Sequence, residues 1–219
     1  MMDFDQIDAA LASGDLTEEA WYDRVRALLE TAYLAADNPQ LQSGLNGDAA
    51  HWERRRHVIV EAVDHDGSFL DVGCANGLLM ETMTAWAQTR GHHLEPYGLD
   101  ISPKLAALAR MRLPQWEHRI FVGNAITWEP PRRFDYVRTE LVYVPDRRQP
   151  ELVARLLHQM VTPGGHLIVC AYRPRGAQDA EPIGERLQGW GFTVSGEATA
   201  TDLLDGGVAT RVAWIDAAG

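Results

Sequence analysis

Apolar residues in the first third of the chain recur at helical spacing. Trp21, Val25, Leu28, Leu29 and Ala32 stand three, four and seven residues apart and share one face, and Asp15 or Thr17 is placed to cap the helix that carries them. Asp37-Asn38-Pro39 breaks this pattern, a turn-rich piece follows over residues 42–48, and Trp52, Ile59 and Val63 then mark a second helix. Residues 1–66 therefore read as a helical extension whose apolar face packs on the rest of the molecule.

From Ser68 onward the pattern changes to short apolar runs alternating with helical stretches, which implies a mostly parallel sheet covered by helices on both faces. Strands are expected over 68–72, 94–99, 119–122, 134–138 and 166–171, with helices over 77–89, 103–112 and 150–160. The second of these helices opens with Ser102 as cap and Pro103 at its first position. Pro163-Gly164-Gly165 is expected to force a turn into the fifth strand. After a helix at about 180–188, residues 192–200 and 208–215 read as two strands joined by a loop containing Asp205-Gly206-Gly207. That loop is too short for a crossover helix, so the pair closes as an antiparallel hairpin. The expected fold is α/β: a doubly wound, seven-stranded, mostly parallel sheet over residues 67–219 with an antiparallel C-terminal hairpin, preceded by the helical extension.

Composition narrows the possible partners. At 219 residues the chain is long enough for one full core plus an extension. It has no apolar run near the ~18 residues a membrane span needs, and its start, Met1-Met2-Asp3-Phe4-Asp5, is acidic where a signal peptide is basic. A cytoplasmic protein without membrane contact is expected, and its two cysteines, Cys74 and Cys170, suit reduced thiols. The net charge of −11 disfavours nucleic acid, whose non-specific affinity rests on Lys and Arg neutralising phosphates. Arg54-Arg55-Arg56 is the main basic cluster, and it reads as a solvated helix face.

The candidate chemistry sits at the first strand. Phe69-Leu70-Asp71-Val72-Gly73-Cys74-Ala75-Asn76-Gly77 ends a buried strand in a glycine turn that opens a helix, where doubly wound folds hold nucleotide-like ligands. Gly73 and Gly77 allow a sharp bend and a close approach of backbone to ligand. Asp100 ends the next strand 23 residues after Gly77, near the spacing of a carboxylate that grips ribose hydroxyls. A dinucleotide loop needs glycines at its first, third and sixth places. Those places hold Gly73, Ala75 and Leu78, so NAD and FAD are not expected.

These residues resemble the class I S-adenosylmethionine-dependent methyltransferases, over roughly residues 68–215. Asp71 to Gly77 looks like the acid-x-Gly-x-Gly-x-Gly loop of that family with alanine at the middle glycine. Gly98-Leu99-Asp100-Ile101-Ser102 and Gly123-Asn124-Ala125 are similar to its second and third strand ends, and Phe134-Asp135-Tyr136-Val137 and Pro163 to Val169 to its fourth and fifth strands. The resemblance implies a Rossmann-like methyltransferase fold and S-adenosyl-L-methionine as cofactor. Asp71, Gly73, Cys74, Ala75, Asn76 and Gly77 would face its methionine part, Asp100 its ribose, and Ile101, Asn124 and Ala125 its adenine, with Glu140 also at the cofactor. Three of these have a structural alternative: Asp100 as a cap for the helix at Pro103, Asn124 as a turn residue, and Asp71 as a tie for loop backbone.

Methyl transfer from a sulfonium is activated by the cofactor itself, so no catalytic residue is obligatory. The fourth strand end, Arg138-Thr139-Glu140-Leu141-Val142-Tyr143-Val144-Pro145, lacks the Asn/Asp-Pro-Pro-aromatic motif of enzymes that modify amide nitrogens. It looks more like the small-molecule members, which points to a small-molecule acceptor. Glu140 and Tyr143 are the catalytic candidates, with an ion pair to Arg138 or Arg173 as the alternative for Glu140 and packing as that for Tyr143. The segment over 42–48, with His51 and Trp52 after it, is a candidate lid. None of the eight histidines forms an evident metal set with cysteines or acids. Two further functions remain open from sequence: a protein that holds S-adenosylmethionine or its product without turnover, and an RNA or protein methyltransferase. The oligomeric state is not legible.

Overall fold

The computed structural model describes residues 4–44, 48–203 and 205–218; the centre of the candidate lid, residues 45–47, lies outside the described residues. Helices α1 (Phe4–Ser13) and α2 (Glu18–Leu34) form a hairpin around a small core of Ile7, Leu16, Trp21 and Val25. Thr17, not Asp15, caps α2, its side chain accepting from the Ala20 amide. The second expected helix is shorter than its apolar pattern. α3 (Ala49–Arg56) ends in three arginines, and Ile59 lies in a 3₁₀ stretch, His57–Ala62. The tighter winding turns Ile59, Val60 and Ala62 inward together, onto a core they share with Phe69, Met83 and Tyr136.

The sheet contains β1 (Gly67–Val72), β2 (Leu94–Asp100), β3 (Ile120–Val122), β4 (Phe134–Glu140), β5 (Val161–Tyr172), β6 (Gly196–Thr201) and β7 (Val208–Asp216). Their spatial order is β3-β2-β1-β4-β5-β7-β6. β1 to β5 are parallel neighbours, and β7 runs antiparallel between β5 and β6. Helices α4 (Leu78–Thr89), α5 (Pro103–Arg112), α6 (Gln149–Arg155) and α7 (Ile183–Gly189) connect the strands. The central strands are buried along most of their length, as a sheet covered on both faces requires. The order reverses between β1 and β4, which opens the crevice at the carboxyl ends of those strands.

The structure differs from the sequence reading at the element ends. Pro163-Gly164-Gly165 lies inside β5 rather than before it. From Phe134↔Val161 to Tyr136↔His166, β4 advances two residues and β5 five, so three extra residues bulge out where proline has no amide to give the ladder. α6 continues as a π-helical turn, Leu156–Met160, and α7 begins after Pro182. β6 starts at Gly196, four residues later than expected, because Phe192 folds back to the α7 end, donating its amide to Leu187.

Candidate functional site

A cavity of about 1190 Å³ opens at the carboxyl edge of the sheet. That exceeds the ~300–1,000 Å³ usual for a single small ligand and leaves room for a cofactor beside an acceptor. Its floor is the loop after β1 with the ends of β2, β4 and β5. Its roof is the N-terminal extension, through Trp21, Tyr22 and Val25 of α2 and Trp52 and Arg56 of α3. Ion pairs fasten the roof: Glu30 meets Lys104 Nζ at 2.7 Å and the Ser102 hydroxyl at 2.6 Å, and Glu18 meets Arg147 and Arg148. Trp52 is buried and donates its indole N–H to Ser43 Oγ at 2.8 Å, which ties α3 to the front of the candidate lid. His51 is half-buried and does not line the cavity.

At one end of the cavity stands Asp100. Its carboxylate accepts the Ala75 amide at 2.8 Å and the Ser102 amide at 2.8 Å, one on each oxygen, so both oxygens retain a lone pair for a ligand. Burial pushes this carboxyl up to about 6, against the pull of the two amides. Ile101, Asn124 and Ala125 line the same end, with Asn124 Oδ1 accepting the Ile126 amide at 3.0 Å.

The loop from β1 divides by orientation. Gly73 (φ 78°) and Ala75 (φ 46°) both take the left-handed conformation, and Asp71, Gly73, Cys74 and Ala75 line the cavity. A Cβ on Gly73 would collide with the Tyr143 ring, so only glycine fits there. Asn76 and Gly77, expected at the cofactor, are not among the lining residues. Asn76 is fully buried, donating to the Pro39 carbonyl at 2.8 Å and accepting the Leu78 amide at 3.1 Å. It thus substitutes for a side-chain cap that Gly77 cannot give α4, and Gly77 packs toward Leu113.

At the centre lies a buried charge cluster that sequence reasoning saw only in part. Arg138 reaches Asp71 Oδ1 at 3.2 Å and Tyr143 Oη at 3.1 Å with Nη1, and with Nη2 it reaches Glu140 Oε1 and Tyr172 Oη, the latter at 2.9 Å. Tyr143 donates to the same Glu140 Oε1 at 2.9 Å. Glu140 is one of the residues that line the cavity, and its Oε2 has no hydrogen bond among the described residues. Burial pushes the Asp71 carboxyl up to about 6 against the pull of Arg138, and burial with the Glu140 charge holds the Tyr143 phenol well above its usual range. Tyr143 is therefore a hydrogen-bond donor at neutral pH. Arg138 carried no motif in the sequence; its place two residues before Glu140 on one strand face was the available signal.

Beyond the far β5 end, Arg173 pairs with Asp202 and Asp205. Arg56, buried among the lining residues, lies 3.6 Å from the Tyr172 ring centroid. The triplet Arg54-Arg55-Arg56 is thus not uniformly solvated: its last member turns inward. At the opposite edge of the sheet Asp64, His65 and His166 come within 4.8 Å of one another, a convergence invisible along the chain. They bond one another and to Tyr136 and Asp216, remote from the cavity.

The residues present fit S-adenosylmethionine. The glycine cradle receives no Cβ, Asp100 offers two acceptors for vicinal hydroxyls, and the cavity has room for the whole molecule. Residues 69–165 match a methyltransferase domain family. Ubiquinone biosynthesis O-methyltransferase of Pseudomonas putida is 34% identical over 104 residues, which cover 45% of this chain and 41% of that one. Trans-aconitate 2-methyltransferase of Methylobacterium radiotolerans is 35% identical over 102 residues, 46% of this chain and 36% of that one. The chain thus spans less than half the length of these relatives. Among solved structures, the 1,6-didemethyltoxoflavin-N1-methyltransferase of Burkholderia thailandensis with bound S-adenosylhomocysteine superposes with a TM-score of 0.62 at 16% identity, covering 93% of this chain and 92% of that one. The [4+2]-cyclase SpnF superposes at 0.61 and 16%, covering 93% and 97%. Sequence match and fold converge on the same stretch: over residues 69–165 the chain carries a methyltransferase domain, set in the fold of the structures just named.

Proposed function

We propose that this protein transfers the methyl group of S-adenosylmethionine to a small-molecule acceptor bound beneath its helical roof. One observation carries the reading: the Asp100 carboxylate, tied to the turn amide of Ala75, stands at one end of a cavity whose other end, at β5, is open to a second ligand. Both relatives above are named for small-molecule methylation, and a roofed cavity suits such an acceptor better than a polymer. The net charge of −11 points the same way.

Bound S-adenosylmethionine supplies a methyl group already activated on sulfonium. The chain's share is orientation and exclusion of water, and alignment of this kind lowers a barrier by ~7–11 kcal/mol. Asp100 would hold the ribose, the Gly73–Ala75 turn the methionine part, and Ile101, Asn124 and Ala125 the adenine. We assign Glu140 Oε2 as the acceptor-side hydrogen-bond partner, held in place by Arg138 and Tyr143 on Oε1. Tyr143 acts as a donor that orients Glu140 and packs on Gly73.

A second reading, binding without methyl transfer, draws on the fold being shared with a protein named a cyclase. Titration with S-adenosylhomocysteine by calorimetry, together with transfer of labelled methyl to a small-molecule extract, separates the two. Binding with transfer supports the proposal, and binding without transfer supports the alternative. A protein that ignores both nucleosides and takes a nicotinamide or flavin dinucleotide overturns both.

A further inference from the structure

The basic side chains of the cavity are concentrated at its β5 end, and among the described residues only two have no polar partner, the exposed Arg175 and the buried Arg56. Arg138 has Asp71 and Glu140, Arg173 has Asp202 and Asp205, and Arg55 donates to the carbonyls of Arg173 and Ala209. Arg56 has neither an ion pair nor a hydrogen bond among the described residues. Only 7% of it is exposed, and its Nη1 is buried without a partner. A guanidinium in that state is costly unless something completes it.

What does hold Arg56 is aromatic. Its guanidinium lies 3.6 Å from the Tyr172 ring centroid and 5.8 Å from that of Trp52. Contact of a cation with a ring face fixes the guanidinium plane and uses none of its N–H groups. Several acids along the cavity wall bond elsewhere: Asp8 accepts from Trp21, Asp146 from Gln149, and Asp100 from backbone amides. Among the described residues no carboxylate lies within ion-pair distance of Arg56, although its planar fork matches one.

We infer that Arg56, stacked on Tyr172, is the docking site for a carboxylate on the methyl acceptor, so that the acceptor class is small organic acids. Asp100 lies on β2 and Tyr172 ends β5, with β1 and β4 between them. The carboxylate subsite is thus at the opposite end of the crevice from the expected ribose site, with Glu140 Oε2 between. The inference rests on the methyltransferase reading. The acid anchors the acceptor and is distinct from the atom that is methylated.

The experiment uses the full chain loaded with S-adenosylhomocysteine. Hydroxybenzoates are compared with hydroxybenzamides, and short dicarboxylates with their diamides, by shift of melting temperature, with labelled methyl transfer from S-adenosylmethionine as second readout. Acids should raise the melting temperature and the amides should not. In Arg56→Gln the acid response should weaken at least ~10-fold, as expected when a charged hydrogen-bond donor is removed, with S-adenosylhomocysteine affinity within about twofold of wild type and Arg56→Lys recovering part of the response. Equal responses to acids and amides, or none to either, overturn the inference. A loss of S-adenosylhomocysteine affinity in Arg56→Gln without loss for methylthioadenosine, which lacks the amino-acid group, also overturns it, because the carboxylate held is then the cofactor's own. Should Arg56→Gln fail to fold, the acid and amide comparison on the wild-type chain decides alone. Absence of any binding of S-adenosylhomocysteine strikes at the methyltransferase reading instead, and is seen before any acid is added.

Discussion

Arg138 Nη1 lies 3.2 Å from Asp71 Oδ1, and both side chains are almost wholly buried. The pair joins β1 to β4 at the point where the strand order reverses, and the same guanidinium also holds Glu140. Removing Arg138 leaves Asp71 buried without its countercharge, a change that typically costs about 3–5 kcal/mol. Arg138→Met should lower stability in urea by that order. With its pull gone, the Asp71 carboxyl should titrate above its present value of about 6. The unfolded chain then binds fewer protons than the folded one up to a higher pH, so the loss should be larger at pH 8 than at pH 5. An Arg138→Met protein as stable as wild type at pH 8 would show that the pair contributes nothing.

This cluster also marks where the sequence stopped being informative. The strand and helix order, the glycine turn and Asp100 were legible because each depends on local period or spacing: alternating apolar runs, a glycine bend, an acid at a strand end. Arg138 was named only as a possible partner for Glu140, since nothing local shows that β4 would bring it beside Asp71, 67 residues away. Asn76 illustrates the converse. Its place in the loop suggested a ligand contact, but Pro39 from the extension claims its amide, a tertiary contact no spacing rule contains. Arg56 read as solvated for the same reason, because α3 ends earlier than its apolar pattern and turns that residue under the roof.

Asp100 should control cofactor affinity. Asp100→Ala removes a charged acceptor of two hydroxyl hydrogen bonds, at a cost of roughly 1.5–3 kcal/mol, or about ten- to over a hundredfold in S-adenosylhomocysteine affinity by calorimetry. The pH dependence follows from burial, which lifts its carboxyl from 3.8 to about 6. Between those values the folded chain holds a proton that the unfolded chain releases, so stability of the unliganded protein falls as pH rises from about 4 to about 6 and is level above. Cofactor affinity should run the other way, rising through pH 6 as the carboxylate ionises. Asp100→Asn should flatten that rise, and an unchanged affinity in either variant would refute the ribose assignment.

Ala75 stands where the resemblance puts a glycine, and its φ of 46° is one that L-residues adopt at a cost of roughly 1–2 kcal/mol. Ala75→Gly relieves that strain while enlarging the unfolded ensemble, so its net effect should be a gain of about 0–1 kcal/mol. Ala75→Val puts a β-branched side chain at the same φ, with an expected loss of about 1–3 kcal/mol. Urea unfolding of the two variants checks the order, Gly above Ala above Val. The Val variant should also bind S-adenosylhomocysteine more weakly, since the Ala75 amide that steadies Asp100 moves with the turn.

The opposite edge of the sheet should govern acid stability without touching affinity. Tyr136, wholly buried in β4, accepts the amides of Asp64 at 3.2 Å and His65 at 3.0 Å and donates to Asp64 Oδ1 at 2.9 Å. Tyr136→Phe strands those donors and should cost about 1–3 kcal/mol in urea unfolding, with S-adenosylhomocysteine binding unchanged. Burial works to raise the Asp64 carboxyl, yet the bonds from His65, Tyr136 and His166 outweigh it and hold it at about 2. A depressed carboxyl of this kind contributes stability above its ordinary value of 3.8, lost as pH falls from about 4 to about 2. In Tyr136→Phe one of those bonds is gone, so the stability curve over that window should be shallower than in wild type. Parallel curves would mean that Tyr136 contributes only its packing.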